Sequence, residues 1–282
     1  RVSGRPVVSE AADDTILKVQ NLSKFFDGVP AVEDVSFELK RAHTLGVVGE
    51  SGSGKTTLAR CILRAIDPDE GSARFLSEDG WVELTTLTDA ELVPLRREMQ
   101  MVFQDPFASL NPRMTVQEIV EEPLVIHRQG NAAQRMARVT EILDRVQLAR
   151  DSLTRYPHAF SGGQRQRIGI ARALILNPSF IVCDESVSAL DVSVQAQIIN
   201  LLEDLQSDLG LTYLFVAHDL SVVQHICNDV LVMYQGKVVE SGDVDEVFHN
   251  PQENYTKLLL SAIPSPDPDQ PLQPLNRAEL GL

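Results

Sequence analysis

The first part of the chain alternates apolar and polar residues, whereas later segments are apolar throughout. Residues 35–39, Val-Ser-Phe-Glu-Leu, alternate with a period of two, which predicts a half-buried strand. Continuous apolar runs, the pattern of strands buried on both faces, occupy residues 45–48, 180–183 and 213–217. The chain is therefore predicted to contain a sheet whose central strands are covered on both sides.

A helical pattern joins two of these buried runs. Apolar residues recur there at three- to four-residue spacing, at Val194, Ile198, Leu201, Leu205 and Leu209. Strand, helix and strand in this order predict parallel strands joined by a right-handed crossover. Hairpins are predicted at 74–84, with the turn at 78–80, and at the Gln235-Gly236 turn.

The chain of 282 residues is long enough for one large domain or two small ones. Residues 1–14 lack periodicity and are predicted to be a linker or tail. A folded domain is expected at 15–264, and its stretch from about 89 to 176 is predicted to be mostly helical. Residues 265–282 are rich in proline, which predicts an extended tail.

Composition excludes several classes of function. The chain has 25 Lys and Arg against 40 Asp and Glu, a net charge of −15, so we expect no nucleic-acid partner, because such binding depends on cationic side chains. No apolar run approaches the ~20 residues that a membrane-spanning helix needs. Cys61, Cys183 and Cys227 lack the spacing of a zinc site or a disulfide framework, and we expect all three to be buried in a reducing, cytoplasmic setting.

A phosphate-binding loop is predicted directly after the buried run at 45–48. Residues 49–56, Gly-Glu-Ser-Gly-Ser-Gly-Lys-Thr, have the spacing GxxxxGK[ST] and precede a predicted helix. Glycines let backbone N–H groups surround phosphate oxygens, Lys55 can reach the β- and γ-phosphates, and the Thr56 hydroxyl can ligate Mg²⁺. The residues predicted to bind ATP here are Gly49, Glu50, Ser51, Gly52, Ser53, Gly54, Lys55, Thr56 and Thr57.

Two carboxylates end the buried run at 180–183. Ligands of a parallel sheet bind at the carboxyl ends of its strands, so Asp184 and Glu185 are expected to face the phosphates. Asp184 suits the surroundings of Mg²⁺. Glu185 suits polarising an attacking water, since phosphoryl transfer requires an in-line nucleophile. We therefore predict a site for ATP and Mg²⁺ with hydrolytic chemistry.

Residues 160–167, Phe-Ser-Gly-Gly-Gln-Arg-Gln-Arg, complete a recognisable order of motifs. The phosphate loop, Gln104, Ser-Gly-Gly-Gln, Asp-Glu, the segment 188–191 and His218 together resemble the ATP-binding cassette (ABC) ATPases. The resemblance implies an α/β P-loop NTPase fold with a mixed or parallel sheet, an antiparallel β subdomain and an inserted helical subdomain. Ser186 departs from the pattern, because the family usually has proline there, and this change affects loop stiffness more than chemistry.

The resemblance also implies roles for single residues. Gln104 would ligate Mg²⁺ and sense the γ-phosphate, and His218 would contact the γ-phosphate. Phe26 would stack on adenine, with Phe25 as the alternative. Residues of the signature and of the dimer seam would cap the ATP of a second cassette in a head-to-tail dimer, and these are Ser161, Gly162, Gly163, Gln164 and Asp191.

Longer stretches resemble one branch, the oligopeptide and dipeptide importers. These are residues 100–116, 156–158, 191–197 and 254–264. The resemblance implies the ATPase subunit of an importer on the cytoplasmic face of the inner membrane. Its partners would be two membrane permease subunits, docked at residues 105–114, and an extracytoplasmic solute-binding protein. A soluble ABC ATPase acting on a macromolecular complex and a nucleotide sensor without hydrolysis are the alternatives, and the solute stays open.

Overall fold

The structure is a computed structural model that describes residues 14–105, 107–188, 190–262 and residue 275. Its strands are β1 (Thr15–Phe26), β2 (Val29–Lys40), β3 (Thr44–Val48), β4 (Glu70–Ser77), β5 (Gly80–Glu83), β6 (Met99–Val102), β7 (Phe180–Asp184), β8 (Thr212–Val216), β9 (Asp229–Tyr234) and β10 (Lys237–Asp243). Its α-helices are α1 (Lys55–Ile62), α2 (Asp89–Leu95), α3 (Val116–Ile126), α4 (Ala132–Arg145), α5 (Gly162–Leu174), α6 (Val192–Leu209), α7 (Leu220–Ile226), α8 (Val244–His249) and α9 (Asn254–Ser261). The predicted linker at 1–14 and tail at 265–282 lie almost entirely outside the described residues.

Six strands form the sheet that carries the predicted site, in the order β10-β9-β3-β8-β7-β6. All neighbours in it are parallel except β10 and β9. Both faces are covered: along β7, Phe180 and Val182 belong to one hydrophobic core and Ile181 and Cys183 to the other. The apolar runs are continuous because odd- and even-numbered residues of these strands are both buried, one set on each face of the sheet. The predicted buried strands and the crossover helix α6 are confirmed.

A second, antiparallel sheet has the order β2-β1-β4-β5 and shares one of these cores with α1. The predicted hairpin at 74–84 is β4 and β5, where Ser77 pairs with Gly80. The second predicted hairpin is β9 and β10, where Gln235 and Gly236 both have positive φ angles. In the second hairpin, two successive positive φ angles match the right-handed twist of the strands. The strand pairings confirm both predicted hairpins.

The stretch from 89 to 176 contains the predicted helices and one strand that the sequence did not reveal. Helices α3, α4 and α5 pack on one another. Strand β6 pairs with β7 at the edge of the large sheet, and Leu92 and Leu95 of α2 lie in the core of the antiparallel sheet. A four-residue edge strand with two half-exposed residues has too little pattern to be distinguished from a helix.

All three cysteines are free and buried, as predicted. Burial raises the pKa of the Cys61 thiol to about 11 and that of Cys183 to about 12. Burial also raises the pKa of Cys227 well above its usual range. Each therefore acts as a small apolar side chain in the core.

Substitution of Gly46 by alanine tests how closely β3 and α7 are packed. A Cβ on Gly46 would lie 2.9 Å from Val223 Cγ1 and 3.0 Å from Cys227 Sγ. Gly46→Ala is therefore expected to lower the free energy of unfolding by about 1–3 kcal/mol, because overpacking forces neighbours to move. Urea unfolding followed by circular dichroism measures this change.

Gly169 in α5 provides the matched control for Gly46. No described atom outside its own stretch of helix lies within 4 Å of an added Cβ. Gly169→Ala is therefore expected to raise the free energy of unfolding by about 0.5–1 kcal/mol, because alanine favours the helix. Changes of the same sign in both variants would contradict this account of the packing.

Candidate functional site

The predicted phosphate loop, residues 49–56, joins the end of β3 to the start of α1. Two of its glycines have positive φ angles and no room for a side chain. A Cβ on Gly49 would lie 2.2 Å from the carbonyl oxygen of Met233. A Cβ on Gly54 would lie 2.1 Å from the carbonyl oxygen of Ala31. The loop is thus held directly against the backbone of β2 and β9, which fixes the direction of its own N–H groups.

Lys55 lies over this loop and is almost fully buried, with 4 % of its surface exposed. Its ammonium Nζ donates to the carbonyl oxygens of Gly49, at 2.9 Å, and Glu50, at 2.8 Å. Burial lowers the pKa of Lys55, and the charges of Glu185 and Asp184 oppose that shift. The Lys55 ammonium therefore lies against the first two residues of the loop, held by carbonyl oxygens that phosphate oxygens could replace.

Thr56 and Asp184 provide two adjacent oxygen atoms beside the loop. The Thr56 hydroxyl donates to Asp184 Oδ1 at 2.9 Å, and Asp184 ends strand β7. Burial raises the pKa of Asp184, while the Thr56 hydrogen bond and the charges of Arg60 and Lys55 act against the rise. Hydroxyl and carboxylate oxygens are the ligands that Mg²⁺ prefers, so this pair fits the predicted ion.

Three of the predicted catalytic side chains meet at one carboxylate oxygen. Glu185 Oε2 accepts a hydrogen bond from Gln104 Nε2 at 2.5 Å and lies 3.7 Å from His218 Nδ1. Glu185 has a φ of +45°, and its N–H donates to the carbonyl oxygen of Val216 in β8. A positive φ on a residue other than glycine costs free energy, and such strain is typical of functional positions. Strands β6, β7 and β8 thus bring Gln104, Glu185 and His218 together.

A cavity of about 480 Å³ opens beside these residues. Gln104 and Asp184 line it together with Arg60 and Arg172. Arg172 donates to the carbonyl oxygen of Ser109, and burial lowers the pKa of its guanidinium. Sequence reasoning missed both arginines, since each lies within a helix where a cation usually marks a solvated face.

Phe26 ends β1 and is 47 % exposed, whereas Phe25 is partly buried. Phe26 pairs with Val29 in β2, two residues before Ala31, whose carbonyl oxygen borders the phosphate loop. The Lys24 ammonium lies 5.5 Å from the Phe26 ring centre. An exposed aromatic ring at this edge of the loop can stack on a nucleobase.

The predicted signature residues 161–164 lie at the start of α5. Ser161 caps this helix reciprocally with Gln164, and a Cβ on Gly163 would lie 2.3 Å from Val194 Cγ1 in α6. Asp191 caps α6 by accepting from the N–H of Val194 at 3.0 Å. The two helix N-termini therefore form one surface. Among the residues described, no hydrogen bond links this surface to the phosphate loop of the same chain.

Comparisons with known proteins agree with this arrangement. The family model described as ABC transporter matches residues 32–188, and the model of the oligopeptide/dipeptide transporter C-terminal region matches residues 239–280. The chain belongs to the ABC transporter family and is an ATPase that binds ATP with Mg²⁺.

Its similar relatives have names from peptide transport. A putative peptide import ATP-binding protein of Brucella ovis is 52 % identical over 90 % of this chain and 80 % of its own length. The oligopeptide transport ATP-binding protein OppF of Bacillus subtilis is 50 % identical over 91 % of this chain and 85 % of its own length. The predicted family resemblance is thereby confirmed.

Solved structures support the same fold. The protein cbiO1 of Clostridium perfringens, described as part of the ABC transporter complex cbiONQ, superposes with a TM-score of 0.75 at 28 % identity, over 84 % of this chain and 92 % of that one. A dimeric cassette, MJ0796 with ADP and Pi, superposes with a TM-score of 0.71 at 30 % identity, over 81 % and 99 %. The predicted fold class is confirmed. In the described ranges no helix is both long and apolar enough to cross a bilayer.

The variant Asp184→Asn tests whether the buried carboxylate of Asp184 destabilises the protein. Because burial raises the pKa of Asp184, its ionised carboxylate destabilises the folded chain relative to the unfolded one. Asp184→Asn removes the charge and retains an oxygen that can accept from Thr56. We expect a higher thermal midpoint, by about 2–4 °C for each kcal/mol gained, with weaker Mg²⁺-dependent ATP binding. Exposed Asp204 in α6 is the control, and equal gains in Asp204→Asn and Asp184→Asn would refute the idea.

Proposed function

We propose that the chain is the ATP-hydrolysing subunit of an importer that carries peptides, or a chemically related solute, into the cell. The observation that carries the hydrolytic part is the meeting of Gln104, Glu185 and His218 beside the Thr56–Asp184 pair. The solute class is supported by the names of the relatives and by the C-terminal family model.

The phosphate loop binds the triphosphate through its backbone N–H groups and through the positive end of α1. Lys55 releases the two loop carbonyls and holds the β- and γ-phosphates, while Phe26 stacks on adenine. Thr56, Asp184 and Gln104 are the residues that would hold Mg²⁺, which neutralises charge on the phosphates when bound. The remaining nucleotide contacts of the loop are assigned to Gly49, Glu50, Ser51, Gly52, Ser53, Gly54 and Thr57.

Glu185 is the residue that polarises the attacking water. The Gln104 amide donates to its carboxylate oxygen Oε2, and His218 Nδ1 lies 3.7 Å from the same oxygen. Gln104 donates to Glu185 and is also assigned to Mg²⁺, so binding of ATP with Mg²⁺ is expected to exchange that bond for contacts with the γ-phosphate region. The base thus becomes available only when nucleotide is present.

A second cassette completes the site. Ser161, with Gly162, Gly163 and Gln164, presents a hydroxyl and helix N–H groups to an anion, and Asp191 lies beside it. Val192, next to Asp191, is 84 % exposed, and a large apolar side chain on this surface favours burial against a partner. We assign the surface to a head-to-tail dimer, with a copy of this chain or a homologous cassette.

The membrane subunits dock in a groove between the large sheet and α3. The groove has a volume of about 460 Å³ and shares Arg60, Phe103 and Arg172 with the cavity beside Gln104. Ile126 lines it and is 66 % exposed. Although the chain is acidic, this groove is lined by several arginines, which fits a short helix with apolar side chains and a carboxylate.

The predicted docking segment 105–114 contributes Asp105, Ala108 and Ser109 to the wall of the cavity beside Gln104, which adjoins the groove. An occupant of the groove would therefore contact the residues next to Gln104. This proximity would link docking to the catalytic site. The chain is accordingly assigned to the cytoplasmic face of the inner membrane, with two permease subunits and an extracytoplasmic solute-binding protein.

Glu185→Gln tests the proposed base. The amide keeps the size of the side chain but cannot accept a proton, so ATP turnover is expected to fall by about 10²–10⁴-fold while ATP binding persists. Phosphate release and nucleotide titration measure the two properties. Glu203→Gln, which changes a half-exposed carboxylate paired with His225, is the matched control. Turnover like that of the wild type in Glu185→Gln would remove Glu185 from the base role.

Ile126→Glu tests the docking groove and the importer together. The tagged chain is purified from solubilised membranes of its source cell, and companions are identified by mass spectrometry. We expect two polytopic membrane proteins and a solute-binding protein with the wild type. We expect a loss of at least about tenfold in Ile126→Glu, because the variant loses an apolar contact and its carboxylate competes with that of the partner for the arginines of the groove. Val125→Glu, at an exposed neighbour outside the groove, is the control. Ribosomal or DNA-repair companions would contradict the importer and favour a soluble ATPase.

A further inference from the structure

The phosphate loop is held from one side by the C-terminal part of the chain. The N–H of Gly236, in the turn between β9 and β10, donates to the carbonyl oxygen of Ser53 at 3.0 Å. The hydroxyl oxygen of Tyr255, in α9, accepts from the N–H of Glu50 at 2.9 Å. Both contacts reach the loop from residues about 180–205 positions later in the sequence.

Tyr255 is rigidly placed. It is 2 % exposed, and its ring lies 4.2 Å from that of Tyr234 in β9. The start of α9 is anchored as well, because the Glu240 carboxylate in β10 accepts from the N–H groups of Gln252, at 2.7 Å, and Glu253, at 3.1 Å. The hydroxyl of Tyr255 is therefore a fixed point against which the loop can be held.

We propose that Tyr255 is a positioning residue for nucleotide binding, whose hydroxyl oxygen fixes the amide of Glu50 and so sets the course of the phosphate loop before nucleotide arrives. A loop ordered in advance loses less conformational freedom on binding, which improves affinity. This inference rests on the proposed role of the loop. Tyr255 lies within residues 239–280, outside the part that matches the ABC transporter model, so the contact joins the importer-type C-terminal region to the nucleotide site.

Tyr255→Phe removes the acceptor and retains the ring. We expect MgADP to bind about fivefold more weakly by calorimetry, as loss of one hydrogen bond predicts. The KM for ATP should rise by the same factor while kcat stays within about twofold. In the nucleotide-free chain, the amide of Glu50 should exchange hydrogen faster. Tyr234→Phe is the matched control, since it removes a hydroxyl from the same ring pair and should change none of these quantities.

Equal MgADP affinity and equal Glu50 exchange in Tyr255→Phe and wild type would overturn the inference. Equal weakening in Tyr234→Phe and Tyr255→Phe would also overturn it, because the rings and not the hydroxyl would then matter. If Tyr255→Phe does not fold, Glu240→Ala tests the same contact by releasing the start of α9, which carries Tyr255. Unchanged MgADP affinity in Glu240→Ala counts against the inference. Failure of the wild-type chain to bind MgADP would refute the proposed role of the loop. Hydrogen exchange at the Glu50 amide would still test whether the Tyr255 hydroxyl holds that amide.

Discussion

The site depends on the close packing of the phosphate loop against two backbone carbonyl oxygens, those of Ala31 and Met233. This packing excludes side chains at Gly49 and Gly54 and fixes where α1 begins. The start of α1 in turn places Thr56 within hydrogen-bond distance of Asp184. In a loop held less closely, the N–H groups would point in several directions. Binding of an anion would then cost the conformational entropy of ordering the loop.

The order of strands explains why distant residues meet. Strand β8 lies between β3 and β7, so His218, which follows β8, lies between the phosphate loop after β3 and Glu185 after β7. Such convergence at the carboxyl ends of parallel strands is a general property of α/β sheets. The site also contains unfavourable features, namely the buried charge of Asp184 and the positive φ of Glu185. The two hydrophobic cores stabilise the fold enough to tolerate both.

Much of this arrangement follows from the sequence. The phosphate loop was predictable because its spacing is specific, and Asp184 and Glu185 because they end a buried strand. The roles of Gln104 and His218 came from resemblance, since neither residue has a local pattern of its own. Strand β6 was missed because four edge residues carry too little periodicity. The contact of Tyr255 with Glu50 joins residues 205 positions apart, and no short-range pattern encodes such a pair.

The burial of the cysteines has a practical consequence for experiments on this protein. Reagents such as maleimides react with the thiolate, and a buried thiol of raised pKa is neither charged nor reachable at neutral pH. Cys61, Cys183 and Cys227 are all of this kind. The natural chain therefore behaves towards such reagents as a background without cysteine. A single cysteine introduced at an exposed position outside the assigned sites, such as Asp204, would carry a fluorophore or spin label selectively, with no need to remove a native cysteine.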